Sequence, residues 1–300
     1  MISTEELTEG VRQLILESAP ERRSDLEDLW RRFAPNFAHA SDTKGFKMEG
    51  GPWGLVVFTP RTTLQIWILG FASWKAFEAY HPYVLIPVPL TTANDPDRVE
   101  IEKALATDLR TERELNETAE LQTFMWPQHI PQPGPTPPTN TRDHAVVDLV
   151  KIATAFVFLH EVRHAIFRDE NNAPESSIDE EFACDEFARD YLLDQIPLYC
   201  AETGDDQKAV LDKRLMGIVL GAFVLLQITP EDRRSGSADH PAVVARFRKL
   251  IRRQTHQSGR TVFVYACSLL FGTLRQEGNP PPEVSFGNPE TLFEDLLALL

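Results

Sequence analysis

Phe156-Val157-Phe158-Leu159-His160-Glu161-Val162-Arg163-His164-Ala165-Ile166-Phe167 decides how this chain is read. Its apolar residues have the length and pattern of a buried helix, and into that helix the sequence sets two histidines and a glutamate. Four residues advance a helix by about 400°, so His160 and His164 leave one face a single turn apart and can grip one metal ion. Glu161 flanks the same face, where a carboxylate can take a proton from a metal-bound water. A chance HExxH should arise in a chain of this length roughly once in a hundred. The stronger rival is a pair of satisfied core histidines with Glu161 in solvent. Against it, two imidazoles and a carboxylate among Phe156, Val157, Leu159, Val162 and Ile166 need partners, and a metal supplies them.

Working outward, Ser177 and Glu180 form a capping box that starts a second helix at Ile178. On it, Glu181-Phe182-Ala183-Cys184-Asp185 places two carboxylates one turn apart. Glu181 would complete a His2Glu metal set, and Asp185 behind it would hold the other nitrogen of a ligand histidine. Taken alone, Asp179, Glu180, Glu181, Asp185 and Glu186 are an acidic helix start that suits the helix dipole. Beside HExxH the balance reverses. Glu180 is the alternative ligand, but Cys184 stands four residues beyond it, so the register favours Glu181.

HExxH followed by Glu181 to Ala188 resembles the gluzincin pattern HExxH...ExxxD, and is similar to the CAAX prenyl protease and HtpX-type group, whose second helix reads ExxAD. His240-Pro241 with Arg246 resembles the HPxxxxR element of the same group. The resemblance implies a zinc metalloendopeptidase with Zn2+ as cofactor and an α+β, zincin-like fold, with a predominantly helical catalytic half and a small N-terminal sheet. It further implies that His240 lies beside the metal and stabilises the transition state, with Arg246 supporting the site by orienting His240 or holding a carboxylate. The chain departs from those relatives in two places. They are largely membrane proteins, whereas the apolar run Leu215 to Leu226 is too short to span a bilayer and reads as a core helix. Cys184 replaces the usual alanine, as packing. The layout and the Glu-Glu-Phe...Cys-Asp run also resemble the phage-exclusion (Lit-type) peptidases, which implies one dedicated host protein as substrate. Two alternatives remain: a non-hydrolytic zincin-like binding scaffold, and a signal-triggered regulatory protease acting on one repressor-like protein.

The formal charge of -15 argues against nucleic acid or an anionic membrane as principal partner, leaving a protein or peptide substrate. Arg246, Arg248, Lys249, Arg252 and Arg253 are the local exception and read as a solvated helix face. Met1 to Gly10 holds three glutamates and no basic residue, so no secretory signal is expected and the location should be cytoplasmic. Cys184, Cys200 and Cys267 are too scattered for a disulfide framework.

Three stretches organise the chain: an N-terminal α+β region over 1–126, a Pro-rich loop or linker over 127–140, and a helical zinc-metallopeptidase region over 141–300, the first and last being either separate or one compact domain. Capping boxes at Ser3 with Glu6 and at Ser24 with Glu27 predict two opening helices. Leu55 to Thr59 and Thr62 to Leu69, split by Pro60-Arg61, read as a hairpin. Tyr83 to Leu90, with Pro87 and Pro89, reads as an edge strand. The resemblance implies that an edge strand near the metal takes substrate backbone as an added strand, a role open to this hairpin or to the Pro-marked strand. Residues 127–138, with six prolines and a glycine, read as a stiff linker in preference to a flap over the cleft. Later helices are expected near 206–228, 240–254, 260–275 and after Asn288-Pro289. Arg163, on the flank opposite Glu161, is expected at the surface or in a salt bridge.

Overall fold

Residues 4–33, 44–50, 55–85, 96–134, 138–252, 260–279 and 288–300 are described by the computed structural model. The chain opens with helices α1 (Thr4–Leu16) and α2 (Arg23–Phe33), then a two-stranded antiparallel hairpin, β1 (Met48–Gly50) and β2 (Val56–Phe58), in the register Met48 with Phe58 and Gly50 with Val56. Everything else described is helical or connecting: α3 (Pro60–Leu85), α4 (Pro96–Glu117), α5 (Thr141–Glu170), α6 (Ser177–Leu193), α7 (Ile196–Thr203), α8 (Gln207–Ile228), α9 (Val243–Arg252), α10 (Arg260–Gln276) and α11 (Pro289–Leu297). The molecule is therefore predominantly helical with one small sheet.

The expected hairpin between Leu55 and Leu69 is half correct. Val56–Phe58 is a strand, but Thr62 to Leu69 lies inside α3. Thr59 ends the strand and caps the helix, its hydroxyl accepting from the Thr62 amide at 3.4 Å, while Pro60 takes the first helical position, where its missing N–H is harmless. A short apolar, β-branched run does not distinguish a strand from a buried helix; length does, and here the helix continues to Leu85. The same helix absorbs Tyr83 to Leu85 of the expected edge strand, whose remainder lies outside the described residues. Ser24 caps nothing: a 3-10 turn over Pro20–Arg22 has already begun the helical path, so Ser24 sits within α2. Ser3 lies outside the described residues.

α4 carried no clear sequence signal because its inward face mixes Leu105, Leu109 and Leu115 with the buried polar residues Asp108, Thr111 and Glu112. The two carboxylates are matched from α3, with Gln65 Nε2 donating to Glu112 at 2.8 Å and Lys75 Nζ to Asp108 at 2.5 Å, while the Thr111 hydroxyl donates back to the Thr107 carbonyl at 2.9 Å. The proline-rich segment is fastened to the same pair of helices. Trp67 Nε1 donates to the Pro131 carbonyl at 2.8 Å and His129 Nε2 to Asp108 at 2.6 Å, while Ile130 is buried.

α5 is the central element, packed by α1, α3, α6 and α8 and touched by β1. Asn140 caps its start, accepting from the Asp143 amide at 2.8 Å, and Asn171 ends it in the left-handed conformation at φ 51°. Because it is covered on nearly every side it shows no single apolar stripe. Gly217 and Gly221, one turn apart on α8, let the two helices close in: a Cβ at these positions would meet Ile152 at 2.5 Å and Phe156 at 2.7 Å. The apolar core runs from Val11 to Leu297, with α10 buried between α3, α8 and α11. Among the described residues no helix is long and apolar enough to cross a membrane.

Candidate active site

α5, α6 and α9 bring the site together. His160 is buried and His164 half-buried, and their Nε2 atoms lie 3.2 Å apart, as one helical turn dictates. From α6, Glu181 reaches between them, with Oε2 3.4 Å from His160 Nε2 and Oε1 3.4 Å from His164 Nε2. One donor atom from each of His160, His164 and Glu181 falls within 4.8 Å of the others. The cap of α6 is Ser176, not Ser177, with its hydroxyl accepting from the Asp179 amide at 3.4 Å. The helix thus begins one residue earlier than expected, and Glu181 and Asp185 still share a face.

Each imidazole has a carboxylate on its other nitrogen. His160 Nδ1 donates to Asp185 at 2.9 Å, and His164 Nδ1 donates to Glu180 at 2.6 Å. Asp185 thus stands where the spacing put it, and Glu180 stands behind His164 instead of among the inward-facing donors. These bonds put a proton on each Nδ1 and leave each Nε2 facing the other and Glu181. The two Nε2 atoms and the carboxylate converge at 3.2 to 3.4 Å, where a proton shared with Glu181 or a metal cation balances the charge. The donor set suits a divalent metal ion bound through two nitrogens and one oxygen, with a position left over.

Arg246 on α9 joins the carboxylates from behind. It donates two bonds to Asp185, at 2.8 and 2.7 Å, and lies 3.0 Å from Glu181 Oε2. It does not orient His240; it holds carboxylates, the other of its two expected roles. Burial disfavours charge on Asp185, but Arg246 and His160 outweigh it and bring that carboxyl down to about 2. Burial likewise opposes the Glu181 anion, yet the two histidines and Arg246 hold it far below the usual carboxylate range. For His160, burial lowers its affinity for a proton, and the bonds to Asp185 and Glu181 overcome this and lift it to about 9. Burial pushes Glu161 above the usual range, opposed by the two histidines and a backbone amide.

That amide belongs to Gly50 on β1 and donates to Glu161 Oε2 at 2.6 Å. Arg168, seven residues after Glu161, donates to the Gly50 carbonyl. His240 lies at the rim, 68% exposed in its side chain, with Nδ1 3.4 Å from Glu181 Oε1. Its loop is braced: the Ser237 hydroxyl accepts from the His240 amide at 3.1 Å, and Gly236 turns at φ 90°, where a Cβ would strike the Ala242 nitrogen at 2.7 Å. Among the described residues Arg163 stacks instead of pairing with a carboxylate: its guanidinium lies over the Phe167 ring at 4.1 Å and the Phe187 ring at 5.4 Å. Cys184 is fully buried, its thiol pushed up by burial and the surrounding carboxylates.

The basic run after Pro241 is not a plain solvated face. Arg246 points inward, Arg248 pairs with Glu294 at 2.8 Å, and Lys249 lies over Phe182 at 4.3 Å; Arg253 lies outside the described residues. Sequence reasoning missed Gly50, Arg168 and the bracing role of Glu180. Arg168 had a readable signal, since Glu161, His164 and Arg168 share one face of α5. Gly50, 111 residues from Glu161, had none.

The model of the family Peptidase U49 matches residues 56–266, more than two thirds of the 300-residue chain. The match takes in α5, α6 and α9 and so every site residue named above except Gly50. No curated protein and no solved structure matches the chain.

Proposed function

The chain belongs to the Peptidase U49 family and is thereby a peptidase acting on protein, and on that premise we propose that it is a zinc-dependent endopeptidase of the gluzincin kind. The observation that carries this is the convergence of His160, His164 and Glu181, each histidine backed by its own carboxylate. These three residues would hold the ion. Zinc bound there supplies Lewis acidity, which polarises a carbonyl and acidifies water toward a pKa of about 7.

The remaining chemistry falls to the chain. Glu161 takes the proton of the attacking water and delivers it to the leaving amine, a task suited to a carboxyl whose affinity for protons is raised by burial. His240, exposed at the rim and able to swing over the centre, donates to the oxyanion of the tetrahedral intermediate. Asp185 and Glu180 keep the imidazoles in the tautomer that binds metal, and Arg246 keeps the two inner carboxylates ionised. The strand beside this centre is β1, which was not among the strands expected from the sequence, and it is the edge offered to substrate backbone. The Lit-type resemblance supports a dedicated target, one host protein cleaved in phage defence.

Metal content decides the reading. Purified wild type should carry about one zinc per chain, lost or weakened in Glu181→Ala. Glu161→Gln should keep the zinc and lose turnover. Zinc-free wild type after supplementation would remove the proposal and leave a binding scaffold. Incubation with unfolded casein separates general proteolysis from a dedicated target: silence there, with cleavage of one native protein, marks the latter.

A further inference from the structure

We infer that strand β1 positions the general base, with Gly50 as the contact and Arg168 as the anchor; this rests on the assignment of Glu161 as that base. Both backbone groups of Gly50 are taken by α5. Its N–H donates to Glu161 Oε2 at 2.6 Å and its carbonyl accepts from Arg168. Glu161, His164 and Arg168 occupy positions i, i+3 and i+7 of one helix, so a single strand residue can rest on all three.

The approach is tight, and a side chain here requires its neighbours to give by a few tenths of an ångström. A Cβ at position 50 would stand 3.2 Å from the Glu161 carbonyl oxygen, 3.2 Å from His164 Cβ and 3.3 Å from Arg168 Nη1. The strand is also fixed from its other side. Met48, Val56 and Phe58 are buried, the Thr59 amide donates to the Lys47 carbonyl at 3.2 Å, and the Thr62 hydroxyl bonds both Lys47 backbone groups at 2.9 Å. The start of α3 thus holds the hairpin, and the hairpin holds Glu161.

The consequence is chemical. A glutamate side chain turns about three bonds, and its two oxygens are equivalent until one is engaged. With Oε2 given to a backbone donor, Oε1 is the oxygen left to exchange a proton with water and leaving amine. Misplacement of a reacting group by about 1 Å can cost on the order of a hundredfold in rate, so loosening this contact should appear in turnover. Arg168 and Gly50 touch no reacting atom in this scheme; they are positioning residues.

Two measurements test it. In metal-free protein labelled with 15N-glycine, exchange of the Gly50 amide with solvent should be slow in wild type, about tenfold or more faster in Glu161→Ala, faster also in Arg168→Leu, and restored toward wild type in Arg168→Lys. With zinc-loaded protein and fluorescent casein as probe, Arg168→Leu should lower kcat about tenfold with KM within twofold and zinc content unchanged, Arg168→Lys should recover part of the loss, and Gly50→Pro, which removes the N–H, should fall well below Gly50→Ala. Unchanged Gly50 exchange in Glu161→Ala overturns the inference, whether or not casein is cleaved. So does a Gly50→Pro enzyme as active as Gly50→Ala. Because Arg168 lies exposed near the end of α5, its variants should fold and keep the test independent of the folding of Gly50→Pro. Failure of the zinc peptidase assignment shows differently, as absent zinc or undiminished cleavage in Glu161→Gln, with Gly50 exchange unaffected.

Discussion

Replacing Arg246 with methionine should destabilise the metal-free protein by about 3 kcal/mol, near the lower end of what removing one partner of a buried ion pair costs. The side chains of Arg246, Asp185 and Glu181 are 12%, 4% and 10% exposed, so solvent screens this cluster little. Methionine fills similar space but leaves two carboxylates facing each other with only the histidines for company. The low end of the range applies because His160 stays bonded to Asp185 at 2.9 Å. For a chain of 300 residues such a loss lowers Tm by about 5 °C. Urea unfolding of metal-free wild type, Arg246→Met, Asp185→Asn and the double variant gives the cycle. Neutralising Asp185 removes part of the reason for Arg246, so the double variant should be more stable than the sum of the single losses by about 2 kcal/mol. A loss below about 1 kcal/mol in Arg246→Met, or additivity within about 0.5 kcal/mol, would refute the claim that the guanidinium neutralises the inner carboxylates.

Three further outcomes follow from the same geometry. Glu180→Ala removes the carboxylate from His164 Nδ1 and should weaken zinc binding about 10- to 100-fold, read by competition with a chelator; unchanged affinity would show that Glu180 braces nothing. His240→Ala should lower kcat about a hundredfold with zinc retained, and loss of zinc instead would make His240 a ligand. In the metal-free protein His160 titrates near 9 instead of its ordinary 6.5, so its contribution is complete below pH 6.5 and disappears as pH rises through 9. Glu181 and Asp185, held low, contribute above their ordinary range and lose that contribution as pH falls. Tm of the metal-free form should therefore peak in mildly acidic buffer and decline toward pH 9, and Glu161, raised by burial, adds to the decline above its ordinary range. Zinc competes with protons for His160, so its affinity should rise over the same interval. A flat Tm between pH 6 and 9 would contradict the assigned contacts.

Local spacing made part of this molecule legible. HExxH and ExxxD each occupy one turn of one helix, and helical geometry alone puts His160 with His164 and Glu181 with Asp185 on common faces. The caps at Asp206 and Asn288 and the boundaries of α8 and α11 are equally local. Where two structures share one local signature the sequence misled: Thr62 to Leu69 is apolar and β-branched enough for a strand, and its helical state follows from burial along most of α3, supplied by α4, α5 and α10. α4 was hidden because polar residues fill its inward face and find partners only once α3 is alongside.

What the sequence by itself determined is which side chains share a face in each half of the site, because each half lies within five consecutive residues whose relative placement a helix fixes. What only the tertiary structure decided is how the halves meet and what surrounds them. Glu180 bonds His164 because α6 crosses α5 at one particular depth, Arg246 reaches Asp185 across 61 residues, and Gly50 reaches Glu161 across 111. Contacts over such separations depend on how elements pack, and packing is set by the whole core at once; no periodicity within either segment encodes them.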